Sequence, residues 1–276
     1  MSIDLLKKEV INDLQKSGFP TEVEISNIID KNGWMISVSL FEDTEESISR
    51  EIDIHAMNID YSFFKKVPKK VVEGNENKLI SHLIIEVKKS EKGWVFFNNG
   101  QISWPWISPQ NYKSLREDFH YLMVEDLKKL GLKKHRFENG KLHKSYHVSF
   151  SKPSQPSVIY ESLIKTSKAT KYFKRIFGTG KYVLHNFIPM IVLDGNLWSA
   201  SLNKNGKVHL DQVDSLLVVH SELTTFRNRK LKLEEKEICE VVTKQEFNKY
   251  LKNIMSDNKE IYKAWTTFIN QKQIKK

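Results

Sequence analysis

The sequence predicts an α/β domain, and three observations carry that expectation. Apolar residues recur at three- and four-residue steps near the N-terminus, over 158–177 and from 243 onward, which is helical spacing. Between these segments lie short runs that alternate apolar with polar residues or are continuously apolar, as half-buried and buried strands are. The composition, 39% hydrophobic and 28% charged with 11 Gly and 7 Pro in 276 residues, suits a chain that closes a core and excludes collagen-like or low-complexity disordered classes. Helices flank groups of strands without an internal repeat or a linker, so a single domain with an insertion between its strands is expected.

Taken in order, Ser2 is placed to cap a first helix through Leu6, Val10 and Leu14, closed by Gly18. A second helix begins near Pro20-Thr21. Thr21 and Glu24 have the spacing of a capping box, Ile25 and Ile29 share a face, and Asn32-Gly33 ends the segment. Trp34 to Leu40 alternates like a strand, and after an acidic turn Ser49 to Ala56 reads as another. Leu83 to Ser90 is the most buried-looking strand, and Trp94 to Phe97 adds a further apolar run. Ser108-Pro109 opens an expected helix with Tyr112, Leu115 and Phe119 on one side, closed by Gly131, and 133–156 is basic and less regular. Val158 to Phe177 reads as a helix. Phe187 to Leu193, the Asp194-Gly195 turn, Leu197 to Leu202, the Asn205-Gly206 turn and Val208 to Leu210 then read as successive hairpins. Ser215 to His220 is a further strand, and a closing helix starts at Thr243 with Glu246 in capping-box position.

Several classes are excluded. No apolar run approaches the roughly 20 residues of a membrane-spanning helix, and the first residues lack the apolar stretch of a secretory signal, so a cytoplasmic protein without membrane association is expected. The single cysteine, Cys239, permits neither an internal disulfide nor a thiolate zinc cluster. The 44 Lys and Arg exceed the 34 Asp and Glu, and the excess is uneven: residues 1–60 hold five basic and thirteen acidic side chains, which leaves the remainder strongly positive. A basic body of this kind is suited to a polyanion, nucleic acid first.

The chemistry concentrates where strands carry charge. In Leu83-Ile84-Ile85-Glu86-Val87-Lys88 the two-residue period puts Glu86 and Lys88 on one face and Ile85 and Val87 on the other. In Glu51-Ile52-Asp53-Ile54 the same period sets Glu51 and Asp53 opposite Ile52 and Ile54. Pairing of the two strands brings Asp53, Glu86 and Lys88 together. Carboxylates in apolar strands need a compensating cation or hydrogen bonds. A Glu/Lys salt-bridge ladder would satisfy them, and so would a divalent ion, since Mg²⁺ uses one or two carboxylates plus waters and phosphate oxygens.

These residues resemble the half-motifs of the PD-(D/E)XK, or restriction-endonuclease-like, nuclease superfamily: Asp53 within Arg50-Glu51-Ile52-Asp53-Ile54, then Glu86-Val87-Lys88 within Ile84 to Ser90, after an N-terminal helix. The proline of the motif name is replaced by Ile52, and 33 positions separate Asp53 from Glu86. The resemblance implies an α-β-β-β-α-β core with a central mixed sheet flanked by helices, spanning about 15–97 and 158–220, with an insertion at 98–157 and a C-terminal helical extension at 221–276. It also implies Mg²⁺ or Mn²⁺ held by Asp53, Glu86 and the Val87 carbonyl, Lys88 as a catalytic group, and Glu22 of the first core helix as a fourth member. The implied activity is hydrolysis of DNA phosphodiesters in restriction, phage defence or repair, by a homodimer or with a partner protein of a prokaryotic defence system. A nuclease-fold subunit that binds without cutting and an RNA nuclease are the competing expectations.

Other features carry less. The ridge Lys165, Lys168, Lys171 and Arg175 and the cluster Arg227, Arg229, Lys230 suit phosphate contacts, with solvated faces as the alternative. Trp104-Pro105-Trp106 suits either base stacking or packing. His143 and His147 lie in strand-like text, where residues four apart stand about 13 Å from one another, so surface histidines are expected in place of a metal pair. Gly178-Thr179-Gly180-Lys181 lacks the full phosphate-loop pattern.

Overall fold

A computed structural model of the chain describes residues 3–37, 39–43, 46–59, 78–101, 112–113, 141–149, 157–177, 183–225 and 232–274. Two helices open it, α1 (Ile3–Lys16) and α2 (Phe19–Lys31), followed by β1 (Met35–Ser37), β2 (Leu40–Asp43), β3 (Ile48–Glu51), β4 (Ile54–Ile59), β5 (Lys78–Lys89) and β6 (Trp94–Gln101). Then come β7 (Tyr112–Lys113), β8 (Lys141–Val148), α3 (Val158–Ile176), β9 (Val183–Asp194), β10 (Leu197–Leu202), β11 (Val208–Gln212), β12 (Ser215–Thr225), β13 (Lys232–Thr243) and α4 (Lys244–Ile274). The fold is mixed α/β, with four helices among the described residues and one large mixed sheet. No described helix is long and apolar enough to cross a membrane.

The sheet runs in the order β1-β4-β5-β9-β13-β12-β8-β6-β10-β11, with β7 also paired to β9, while β2 and β3 form a separate two-stranded hairpin. β1, β4 and β5 are antiparallel neighbours, and β9 joins β5 in parallel along its length, Lys78 opposite Val183 through Lys89 opposite Asp194. Alternation along β5 splits its side chains between two cores. Leu83, Ile85 and Val87 meet Ile25 and Ile29 of α2 and Phe247 and Leu251 of α4. Ile84 on the opposite face packs with Phe173 of α3, Phe187 of β9 and Ile52. The C-terminal region is therefore part of the body: β13 lies inside the sheet between β9 and β12, and α4 shares the core of α2.

Four local expectations are corrected. The run Ser49 to Ala56 is not one strand; β3 pairs with β2, the chain breaks at Ile52-Asp53, and β4 enters the main sheet. Ile52 and Ile54 consequently belong to different cores. The Asp194-Gly195 turn does not join a hairpin, because β9 pairs with β5 and β13 while β10 pairs with β6 and β11. At that turn the chain passes so close to the end of β5 that a Cβ on Gly195 would stand 2.4 Å from the Ser90 carbonyl oxygen. Tyr112 and Lys113 are in a strand, pairing with Asn186 and His185, and the rest of the helix expected over 108–131 lies outside the described residues, as do Ser2 and the Trp104-Pro105-Trp106 segment. Neither capping box forms. Helix α2 starts after Gly18, so Thr21 is inside it and donates from Oγ1 to Asp194 Oδ2 at 2.8 Å, while Glu24 pairs with Lys244. The buried Thr243 hydroxyl finds no hydrogen-bond partner among the described residues, and Glu246 pairs with Lys249.

Helices α2 and α3 otherwise follow their sequence signals. Gly33, at φ +78°, takes the left-handed conformation that ends α2, and Ser157 caps α3 by accepting the Tyr160 amide.

Candidate active site

Asp53, Glu86, Lys88 and Lys165 converge at one place on the α3 face of the sheet. The strand break positions Asp53. One residue before β4 begins pairing, its Oδ2 accepts the Val87 backbone N–H at 2.7 Å, so a side chain takes the ladder bond that a strand carbonyl would otherwise supply. Glu86 and Lys88 come from β5 with the shared orientation their spacing predicts, and the Lys88 ammonium contacts Glu86 Oε1 and stands 4.0 Å from Asp53 Oδ2.

The fourth member comes from α3. Its first half is anchored by Ile159 and Leu163, and Ser162, Thr166 and Thr170 turn their hydroxyls back to the carbonyls four residues earlier, which leaves a small, self-satisfied surface toward the sheet. From this helix Lys165 reaches down to Asp53 Oδ1 at 3.2 Å and Glu86 Oε2 at 2.7 Å. One ammonium thus bridges the two carboxylates that the resemblance assigns to metal. The helical spacing places Lys165 in a ridge suited to phosphate contacts; α3 instead crosses the sheet beside the break at Asp53 and turns this lysine inward, which local spacing does not reveal.

Burial sets the electrostatics. Glu86 is 1% exposed, and desolvation with the Asp53 charge pushes its carboxyl above the ordinary range against the opposing pull of Lys88 and Lys165. Burial pulls the Lys165 ammonium down, but the Glu86 and Asp53 charges and their hydrogen bonds outweigh it and raise its pKa. Glu86 is the strained partner, because the Lys165 side chain keeps 29% of its exposure and water still reaches it. Glu22 belongs to the same electrostatic unit: its carboxyl is raised by burial and then by Asp53, with Glu86 adding to the shift and Lys88 and Lys165 opposing it. Three carboxylates face two ammoniums, and two of the three are held above their usual pKa, first by burial and then by the neighbouring carboxylates. A proton or a cation would neutralise the excess.

That imbalance is the test of whether a divalent ion fits. No three Asp, Glu, His or Cys side chains among the described residues are arranged to hold one ion together, so a closed protein cage is not formed. Mg²⁺ does not require one, since it keeps waters and binds through one or two carboxylates plus substrate oxygens. Asp53 and Glu86, drawn to a common ammonium, meet that requirement. Val87 contributes its amide to Asp53 while its side chain is buried under α2 and α4.

The remaining basic candidates divide. Lys168 turns inward to the buried Asp43 at 2.9 Å, a carboxylate that Arg50 also holds at 2.9 Å. Arg175 reaches Glu42 and lies over the Tyr172 ring. Lys171 is half-buried on the same helix. Arg227, Arg229 and Lys230 lie outside the described residues. His143 is not the surface histidine expected: it is buried, with Nε2 2.9 Å from the Ser199 hydroxyl, and is a structural histidine.

Comparison with protein-family models, with curated proteins and with solved structures gave no match to this chain.

Proposed function

We propose that this chain is a Mg²⁺- or Mn²⁺-dependent nuclease of the restriction-endonuclease-like fold that hydrolyses DNA phosphodiesters. The observation that carries the reading is the convergence of Asp53, Glu86 and Lys88, from a strand break and a neighbouring strand, around a charge balance that favours a cation. The order α2, β1, β4, β5, α3, β9, with three antiparallel strands and a fourth parallel to the third, supports it. The small β2–β3 hairpin is inserted between β1 and β4, and β6 to β8 between β5 and α3.

When bound, the divalent ion supplies Lewis acidity toward the phosphate and lowers the pKa of the attacking water. Asp53 and Glu86 would hold it. The Val87 amide fixes the Asp53 carboxylate so that it need not reorganise as charge develops. Lys88, beside both carboxylates, donates a hydrogen bond to the attacking water or to a non-bridging phosphate oxygen. Lys165, once released from the carboxylates, is a second ammonium for the charge that builds on the phosphoryl oxygens. Glu22 adds negative charge that favours the cation.

One observation favours a second reading, a nuclease-like fold that binds nucleic acid or a protein without cutting: Lys165 already satisfies both carboxylates as a built-in cation. Purified protein incubated with plasmid and Mg²⁺, with an EDTA control and a parallel RNA substrate, separates the readings. Nicking that disappears in Asp53→Ala and Lys88→Ala while both variants stay folded supports catalysis. Equal behaviour of wild type and Lys88→Ala on every substrate defeats it. The RNA arm decides the polymer.

A further inference from the structure

Among the described residues the far end of the sheet is open. β11 is its last strand, all five of its residues are exposed, and Val208 and Leu210 are 62% and 46% accessible. A sheet edge normally carries a guard such as proline, lysine, a bulge or a covering element. Val208-His209-Leu210-Asp211-Gln212 contains neither proline nor lysine, and its register with β10 runs without a bulge from Trp198 opposite Gln212 to Leu202 opposite Val208.

The hydrogen-bond phase fixes which groups face outward. Antiparallel pairs alternate between bonded and non-bonded. Bonds from Asn203 to Lys207 at one end and from Val213 to Leu197 at the other make Ser201/His209 and Ser199/Asp211 the bonded pairs with β10. Val208, Leu210 and Gln212 therefore direct their N–H and C=O groups away from β10, to the open edge.

We propose that this edge pairs antiparallel with β11 of a second copy of the chain, about a two-fold axis at Leu210, and continues the sheet across a dimer. That register sets Leu210 against Leu210 and Val208 against Gln212, the three residues whose backbone groups point outward, so every outward N–H meets an outward C=O. It also sets His209 of each copy against Asp211 of the other, in the non-bonded positions where cross-strand side chains approach most closely. Within one chain His209 Nε2 already lies 3.0 Å from Asp211 Oδ1, so pairing assembles two imidazoles and two carboxylates in alternation on one face. On the other face Val208 and Leu210 of each copy gain cross-strand neighbours. Self-complementarity of backbone and of the His209–Asp211 pairing is what an isologous interface demands. Five residues per strand make the contact small, so the association depends on concentration and is independent of whether the chain is a nuclease.

Sedimentation velocity from about 1 to about 200 µM tests it, a range that brackets a micromolar Kd. The wild type is expected to shift from monomer to dimer. Leu210→Pro removes an outward N–H without breaking a bond to β10 and is expected to weaken the dimer at least tenfold with the circular dichroism unchanged. His209→Glu places an acid against Asp211 of the other copy, and Asp211→Lys places a cation against His209; each alone is expected to be monomeric. Mixed in equal amounts they pair Glu with Lys and Asp with His, and the dimer returns. A wild type that stays monomeric throughout the range, or a mixture that stays monomeric, overturns the proposal. Should Leu210→Pro not fold, the charge variants decide alone.

Discussion

Replacing Lys165 by methionine separates its two roles, structural cation and phosphate ligand. Its ammonium lies 2.7 Å from Glu86 and 3.2 Å from Asp53. At an effective dielectric near 20 each contact has a gross Coulomb attraction of about 5 to 6 kcal/mol. Most of this is offset by desolvation, and removing one partner of a fully buried pair costs about 3–5 kcal/mol. Lys88 remains on Glu86, and the Lys165 side chain is 29% exposed, so the loss for Lys165→Met should be nearer 2 kcal/mol. The same change leaves Asp53 and Glu86 free for a divalent ion, whose affinity should rise about tenfold, equivalent to roughly 1.4 kcal/mol. Urea unfolding with and without Mn²⁺, together with calorimetric Mn²⁺ titration, measures both. The expected pattern is a variant less stable than wild type without metal, recovering more on Mn²⁺ addition, and cleaving more slowly. Lys165→Arg, which keeps the charge, should behave like wild type in the metal-free measurement. Unchanged stability together with unchanged Mn²⁺ affinity would refute the view that this lysine compensates the carboxylates.

Further outcomes follow from burial and close contacts. His82 is fully buried between His55 and His185, and desolvation followed by the charges of His185 and His55 lowers its pKa to about 2. Between that value and the unfolded 6.5 only the unfolded chain takes the proton, so stability falls as pH drops below 6.5, by about 1.4 kcal/mol per pH unit for this group. Urea titrations at pH 7 and pH 4.5 should show that slope reduced in His82→Phe. Gly195→Ala forces a Cβ against the Ser90 carbonyl and should cost about 1–3 kcal/mol by thermal melting. Lys168→Met removes an ammonium 2.9 Å from the buried Asp43, which Arg50 still holds, and should cost about 1–3 kcal/mol, whereas Arg175→Ala, which breaks an exposed pair with Glu42, should change the melting temperature little.

How far the sequence was legible depends on how local the information is. The two-residue period of β5 placed Glu86 and Lys88 on one face, and the structure keeps them there because Ile84 and Ile85 commit that strand to two separate cores. Asp53 reached the expected place by a different route. Ile52-Asp53-Ile54 alternates like a continuous strand, yet the chain hands over from the β2–β3 hairpin to the main sheet at that point, and no local pattern distinguishes a strand from a handover. Asp194-Gly195 failed for the same reason, since a turn between two strands looks alike whether they pair with each other or with more distant partners. The helical spacing of Lys165 and Lys168 was correct, but which way a ridge faces depends on the acids brought beneath it, Asp53 and Glu86 for one and Asp43 for the other. β13 was not anticipated, because Glu234, Glu235 and Glu237 precede Ile238 and Cys239 and Glu240 separates them from Val241 and Val242; burial on both faces between β9 and β12 outweighs that local polarity.

The position of β13 bears on how the protein is made. Synthesis delivers β4, β5, α3 and β9 well before residues 232–243, so the side chains of the candidate site are all available to assemble while Met190 to Leu193 on one edge of β9 still wait for their neighbour. A nascent chain at that stage presents an apolar strand with that edge unpaired, the kind of surface on which half-made proteins aggregate or recruit chaperones. The last strand to emerge is the one that seals it.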